Sequence, residues 1–264
     1  SSPALSDKLS DKIDSGVLTG SKPANLFPKT AQSQQPAPDM TDSIQFSAFT
    51  SRTKSKAKPH PYMSIIRTPV YPWMINESGI VKAGHVLKLI DIVGSEAPLK
   101  FLRDKQSPYV VVTASVDRTD FQTPIRAWEM LRLDARVTQA WKSSIESQVN
   151  IYAEHIVTGE SRPVATSHLV FVAIDPKTRQ KATALPEYVP ESVEEKKVAK
   201  LADLRKANRS NEGRVAPFIA IDPQNDSPVG VDRVMTRNDA NGQGNVFGGI
   251  LLDIMDEVGT KAAQ

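Results

Sequence analysis

The sequence predicts an α+β fold in which an antiparallel sheet wraps a single apolar helix, complete once and begun a second time. Three observations carry that expectation. The stretch from Asn76 to Gly94 (NESGIVKAGHVLKLIDIVG) returns 165 residues later, from Asn241 to Gly259 (NGQGNVFGGILLDIMDEVG). Apolar residues follow the first entry turn at helical spacing, and strand-like segments come after that helix. An internal repeat bears on architecture before any local pattern does. This one keeps its polar residues: Asn76/Asn241, Gly79/Gly244, Gly84/Gly249 and Asp91/Asp256 coincide, as do Val81/Val246, Leu87/Leu252, Val93/Val258 and Gly94/Gly259. Shared apolar positions alone would say that both helices are buried. Shared Asn, Gly and Asp suggest that both carry, or once carried, the same site.

Residues 1 to about 60 are rich in Ser, Pro, Gln and Lys with little periodicity, the composition of a disordered tail. Order is expected from Tyr62, in a domain spanning 61–185. Met63 to Tyr71 reads as a strand and Trp73 to Gly79 as a loop. From Ala83, the residues Val86, Ile90, Val93, Ala97 and Phe101 recur at three- and four-residue spacing, one face of a helix. Pro98 should end or kink that helix near its last turn. Tyr109 to Asp117 is rich in β-branched residues. Leu131, Leu133, Ala135 and Val137 alternate with Arg132, Asp134 and Arg136, while Ile145, Val149, Ile151, Ala153 and Val157 alternate with polar residues. Val164 to Ile174 is a final, more apolar strand, joined to its predecessor by the turn Thr158-Gly159-Glu160. One apolar helix beside such a sheet buries its face only if the sheet wraps it.

A linker is expected over 186–228. It opens with Pro186 to Pro190 and continues as a charged helix over Glu191 to Asn208, whose apolar positions Val198, Leu201 and Leu204 make a narrow stripe, the pattern of a solvated connector. The second unit is expected over 229–264, opening with Val231 to Met235 and cut off inside or just after its helix. That helix should dock on the first unit as a partner helix, or expose an apolar patch.

Composition excludes several functions. The net charge of +3 is too small to imply nucleic acid, and the absence of cysteine removes disulfides, thiolate nucleophiles and most structural zinc sites. No apolar run approaches membrane-spanning length and no secretory core is visible. Gly242-x-Gly244 lacks the third glycine of a dinucleotide fingerprint, since Phe247 stands there. No Gly-x-Ser-x-Gly elbow or phosphate loop is present. His60, His155 and His168 lack metal-ligand spacing, and His85 is unmatched by Ile250 in the second copy.

A strand, a helix and four strands with a Gly-containing helix entry look like the hotdog fold, and the motifs take the resemblance further. Asn-x-x-Gly-x-Val-x-x-Gly leading into Leu-Leu-x-x-Met-Asp-Glu-Val resembles the tandem-hotdog acyl-CoA thioesterases. So do KAGHVLKLID (Lys82–Asp91), VTASVDRTDFQTP (Val112–Pro124), RVTQAWKSSIES (Arg136–Ser147), the run from Ala153 to Asp175 and the connector PEYVPESVEEKK. The resemblance covers about Tyr62 to Gln264. It implies an enzyme hydrolysing fatty-acyl-CoA to free fatty acid and CoA without metal or other cofactor, at sites between paired hotdog halves. It also implies a homo-oligomer formed by hotdog–hotdog pairing, no nucleic-acid partner, and an intracellular location in the cytoplasm or mitochondrion.

Thioester hydrolysis needs a nucleophilic water, a polarised carbonyl and stabilised charge on the tetrahedral oxygen. Asp91 and Asp256 are the candidates to take the water's proton. Asn76 and Asn241 can donate to the carbonyl or hold the water. Gly84 and Gly249 stand at helix N-termini, where amide N–H groups point outward unpaired, and leave room for a carbonyl to approach. One such donor is worth about 3 kcal/mol of transition-state stabilisation. Gly84 and Asp91 share one side of the helix but stand roughly 10 Å apart along its axis, too far for one carbonyl to touch both. Each Asp is therefore expected to serve the other unit's helix: Asn76 and Gly84 with Asp256, Asn241 and Gly249 with Asp91. The rival reading is a non-catalytic acyl-CoA binding or assembly module, supported by Lys82-Ala83 where the second copy has Phe247-Gly248. A hotdog hydratase is disfavoured, because no His follows the Asp at a suitable position.

Overall fold

The computed structural model describes residues 60–212, 229–242 and 244–263. The tail expected over 1–60 falls outside them up to residue 59, as does the linker from 213 to 228. Five strands, β1 (Ser64–Pro69), β2 (Val110–Val116), β3 (Glu129–Ala140), β4 (Ser144–His155) and β5 (Ser161–Ile174), form one antiparallel sheet in the order β1-β3-β4-β5-β2. Helix α1 (Ala83–Asp104) lies between β1 and β2 in sequence and packs on one face of that sheet.

Alternation chooses the face. Leu131, Leu133, Ala135 and Val137 of β3 stand in register with Ala153, Ile151, Val149 and Ser147 of β4. With Ala165, Leu169 and Phe171 of β5 they enclose Val86, Ile90, Val93, Ala97 and Phe101 of α1 in one buried core. Gly94 brings the helix onto the sheet, since a Cβ there would stand 3.3 Å from a Leu169 methyl. A single helix cradled by a five-stranded antiparallel sheet is the hotdog arrangement.

Four stretches call for comment beyond the local pattern. Pro98 does not end α1: the helix continues to Asp104, with Pro98, Phe101 and Leu102 all buried. Burying those side chains outweighs the one intrahelical hydrogen bond that proline forfeits. Val157 lies past the end of β4, exposed in the hairpin turn, where Gly159 takes a left-handed φ of +68°. Residues 231–236, where the second unit is expected to open, carry no helix or strand.

The fourth stretch is the connector. Helix α2 (Val193–Glu212) docks against β3 and buries Ala199 and Ala202, while Leu204 of the expected stripe is exposed. Beneath it lies Glu146, whose side chain is fully buried. Glu146 accepts hydrogen bonds from Arg205 Nη2 at 2.6 Å, Arg209 Nη2 at 3.0 Å and Thr138 Oγ1 at 2.8 Å, and Arg209 Nη1 also reaches Asp117 at 2.6 Å. Burial pushes the Glu146 carboxyl up, but the two guanidiniums more than reverse this and hold it below the usual carboxylate range. The sheet's second face is polar, so the helix meets it with alanines for close approach and arginines for the buried charge. An apolar-stripe criterion cannot see such docking.

Helix α3 (Gly248–Ala262), the repeat of α1, packs against α1. Ile250 is buried there, whereas Leu251 and Met255 remain exposed. No helix among the described residues is long and apolar enough to cross a membrane.

Candidate active site

The repeat runs deeper in structure than in sequence. Single 3-10 turns at Pro72–Met74 and Arg237–Asp239 precede the two copies at matching positions. Asn76 N–H donates to Ile80 O at 2.8 Å and Asn241 N–H to Asn245 O at 2.7 Å. The side-chain Oδ1 of each Asn accepts a backbone N–H four residues on, from Ile80 or Asn245, at 3.1 Å. Gly79 and Gly244 take φ of +72° and +75°, which explains the glycine three residues after each Asn. Each turn then feeds a helix through an extended residue, Lys82 or Phe247, that supplies no side-chain cap. The first amides of α1 and α3 are left for other acceptors.

Those acceptors are the aspartates of the opposite helix. Gly84 N–H donates to Asp256 Oδ2 at 2.9 Å, and Gly249 N–H donates to Asp91 Oδ2 at 2.8 Å. The helices therefore run antiparallel, each N-terminus against the other's third turn. They cross through these glycines: a Cβ on Gly84 would lie 2.9 Å from Asp253 Cα, and one on Gly249 would lie 2.9 Å from Lys88 Cα. The space over Gly84 and Gly249 is filled by the neighbouring helix, and their N–H groups hold carboxylates. A helix N-terminus draws negative charge, and here the nearest carboxylate belongs to the protein.

The two constellations differ in detail. Asp91 is fully buried, and its second oxygen, Oδ1, accepts from Thr113 Oγ1 at 2.7 Å. Burial raises the Asp91 carboxyl above its ordinary value, while Thr113 and the Gly249 N–H pull it part of the way back. Thr113 stands where a bulge between Thr113 and Ser115 interrupts the pairing of β2 with β5; such a bulge re-aims a side chain. Sequence reasoning missed Thr113, one residue in a β-branched run, with only its place in VTASVDRTDFQTP as a signal. Asp256 is half-buried, with the Gly84 N–H as its hydrogen-bond partner among the described residues.

Asn76 and Asn241 each open the turn that precedes a helix. Among the described residues the side-chain hydrogen bonds of Asn76 stay within its own turn, where Oδ1 also accepts Ser78 N–H at 3.0 Å. Its carbonyl oxygen is committed, so the amide NH2 is the group left to meet a ligand. His85 sits 3.2 Å from Trp73 O and 3.6 Å from Asp253 Oδ1, bonded to neither Asp91 nor Asp256. A cavity of about 340 Å³ opens beside the start of α1, lined by Ile80, Val81, Ala83 and residues 121–125.

Comparison with known proteins shows the family. The Thioesterase superfamily profile matches residues 78–160. An uncharacterized acyl-CoA thioester hydrolase of Bacillus subtilis is 33% identical over 151 residues, covering 57% of this chain and 84% of that protein. The chain belongs to the thioesterase superfamily. Within this superfamily, the human cytosolic acyl coenzyme A thioester hydrolase is 29% identical over 199 residues, covering 72% of this chain and 52% of that protein. The chain thus spans about half the length of its mammalian relatives. Among superfamily structures, an apo-hexameric acyl-CoA thioesterase matches with a TM-score of 0.53 and 28% identity, over 59% of this chain and 96% of that one. A Staphylococcus aureus acyl-CoA hydrolase, solved with butyryl coenzyme A, coenzyme A and coenzyme A disulfide, gives 0.51 and 27% over 58% of this chain and 92% of that one.

Proposed function

We propose that this thioesterase-superfamily chain hydrolyses fatty-acyl-CoA to free fatty acid and CoA, at composite sites in which each helix N-terminus works with an aspartate from the other helix. The observation that carries the reading is the reciprocal pair of carboxylates, Asp256 on the Gly84 N–H and Asp91 on the Gly249 N–H. In the Asp91 constellation, the carboxylate takes a proton from water as the water oxygen bonds to the thioester carbonyl carbon. The N–H and Thr113 bonds fix the carboxylate's orientation. The carbonyl oxygen becomes an oxyanion, stabilised by the helix N-terminus and an Asn amide. The carbon–sulfur bond then breaks, the CoA sulfur takes the proton from Asp91, and the acid departs.

The relatives named as acyl-CoA hydrolases support this reading. The Staphylococcus aureus protein has also been solved with one Asn, one Asp and one Thr each changed to Ala. Its altered Asn and Asp stand 15 positions apart, as do Asn76 and Asp91. Exposed Leu251 and Met255, together with the hexameric relatives, support self-association as part of the same proposal.

Free-thiol release from short-, medium- and long-chain acyl-CoAs tests the reading, on the parent and on Asp91→Ala and Asp256→Ala. Turnover that falls in at least one variant is expected. Tight acyl-CoA binding with no thiol release at any chain length would make the chain a binding module instead.

A further inference from the structure

The two constellations differ at the first helical residue, which is Gly248 in α3 and Ala83 in α1. Gly248 lies against the Asp91 site. A Cβ there would stand 3.0 Å from Asp91 Oδ2 and 3.3 Å from both Cβ and Oγ1 of Thr113. Those distances are shorter than ordinary van der Waals contact, so any side chain at 248 would push the carboxylate and the threonine away together. The Gly248 N–H makes no hydrogen bond among the described residues, and the next amide, that of Gly249, is the one that holds Asp91. One glycine thus sets a free amide donor directly beside an anchored carboxylate, with nothing between them.

In the first copy the same position carries a methyl group. Ala83 forms part of the wall of the apolar cavity with Ile80, Val81 and the 121–125 loop. Its neighbour Gly84 still holds Asp256 at nearly the distance found in the other copy, 2.9 Å against 2.8 Å. The anchoring of the carboxylate is therefore preserved, while the first helical residue beside it carries a methyl group that Gly248 lacks.

We infer that Gly248 is a positioning residue, and that Ala83 makes the two composite sites inequivalent: hydrolysis runs mainly at the Asp91–Thr113–Gly248 site. This rests on the thioesterase reading. Displacing a reacting group by about 1 Å can cost on the order of a hundredfold in rate, so a shift of a few tenths of an ångström should cost on the order of tenfold.

The test measures kcat and KM for acyl-CoA hydrolysis in Gly248→Ala, Asp91→Ala, Asp256→Ala and Asp91→Ala combined with Ala83→Gly. Alanine's helix preference offsets part of the overpacking at 248, so Gly248→Ala should remain folded at the assay temperature. Its kcat should nevertheless fall at least tenfold with KM changed less than threefold, a split that loss of folding would not give. In Asp91→Ala, adding Ala83→Gly should raise the remaining turnover, and Asp91→Ala alone should cost at least ten times more than Asp256→Ala. A Gly248→Ala protein within twofold of the parent kcat, or equal losses in the two aspartate variants, overturns the inequivalence and leaves the thioesterase reading standing. No thiol release by the parent protein at any chain length overturns the thioesterase reading itself.

Discussion

Replacing Glu146 by Gln removes the negative charge beneath α2 while keeping the side chain's shape. In the native protein that carboxylate is fully buried, whereas the side chains of Arg205 and Arg209 remain 20% and 22% exposed. Breaking a buried ion pair by removing one partner costs about 3–5 kcal/mol. Two features place this case at the lower end: both guanidiniums reach solvent, and Arg209 keeps Asp117 as a partner. The glutamine amide also turns a donor toward groups that are themselves donors, Arg205, Arg209 and the Thr138 hydroxyl. A loss of about 3 kcal/mol follows, equivalent to about 6–12 °C in Tm for a chain of this size. Calorimetry gives the Tm, and hydrogen exchange should show amides 199–209 of α2 exchanging faster than those of β4. Because the Glu146 carboxyl lies below its unfolded value, its stabilisation is present above that value and fades as pH falls through the folded one. The gap between parent and variant should therefore close in acid. A variant within 2 °C of the parent at pH 7, with α2 still protected, would refute the claim that this charge holds the helix down.

Two further outcomes follow from the helix crossing and the buried aspartate. Gly249→Ala places a methyl 2.9 Å from Lys88 Cα; overpacking of about 1–3 kcal/mol, set against a helix-propensity gain of about 1 kcal/mol, predicts a net loss of up to about 2 kcal/mol in thermal unfolding. Asp91 must be ionised to take a proton, so kcat should fall in acid along a limb centred above the ordinary carboxylate value of 3.8, and Thr113→Val should move that limb higher still. The same raised value means that ionising Asp91 costs the folded state stability as pH rises from the unfolded to the folded pKa. Asp91→Asn should thus lose turnover without lowering Tm at pH 7.

Much of this was legible in the sequence. The stripe Val86, Ile90, Val93, Ala97 and Phe101 is the buried face of α1, and the alternation in β3 marks its core face, because burial of one face imposes a period. The close meeting of the two repeats was legible from helix rise, which keeps Gly84 and Asp91 apart on one helix, taken with the thioester chemistry that the resemblance implies. What was illegible depends on partners distant in sequence. Thr113 gains meaning only from Asp91 across the core. Ala199, Ala202 and Arg205 look like a solvated helix until Glu146 is placed beneath them. Gly84 and Gly249 suggested open space because a sequence does not say what fills it; the other helix does.

Gly249 and Asp91 meet across 158 residues of one chain. Closing so long a loop carries an entropy that grows only with the logarithm of its length, so doubling the connector would cost about 0.6 kcal/mol more. The benefit is of another order. Helices on separate chains must find each other at the protein's own concentration, and their pairing fades on dilution. Tethered helices meet at an effective concentration in the millimolar range for short flexible tethers, lower for longer ones, and in every case independent of how much protein is present. A site assembled from α1 and α3 of the same chain therefore stays assembled when the protein is scarce.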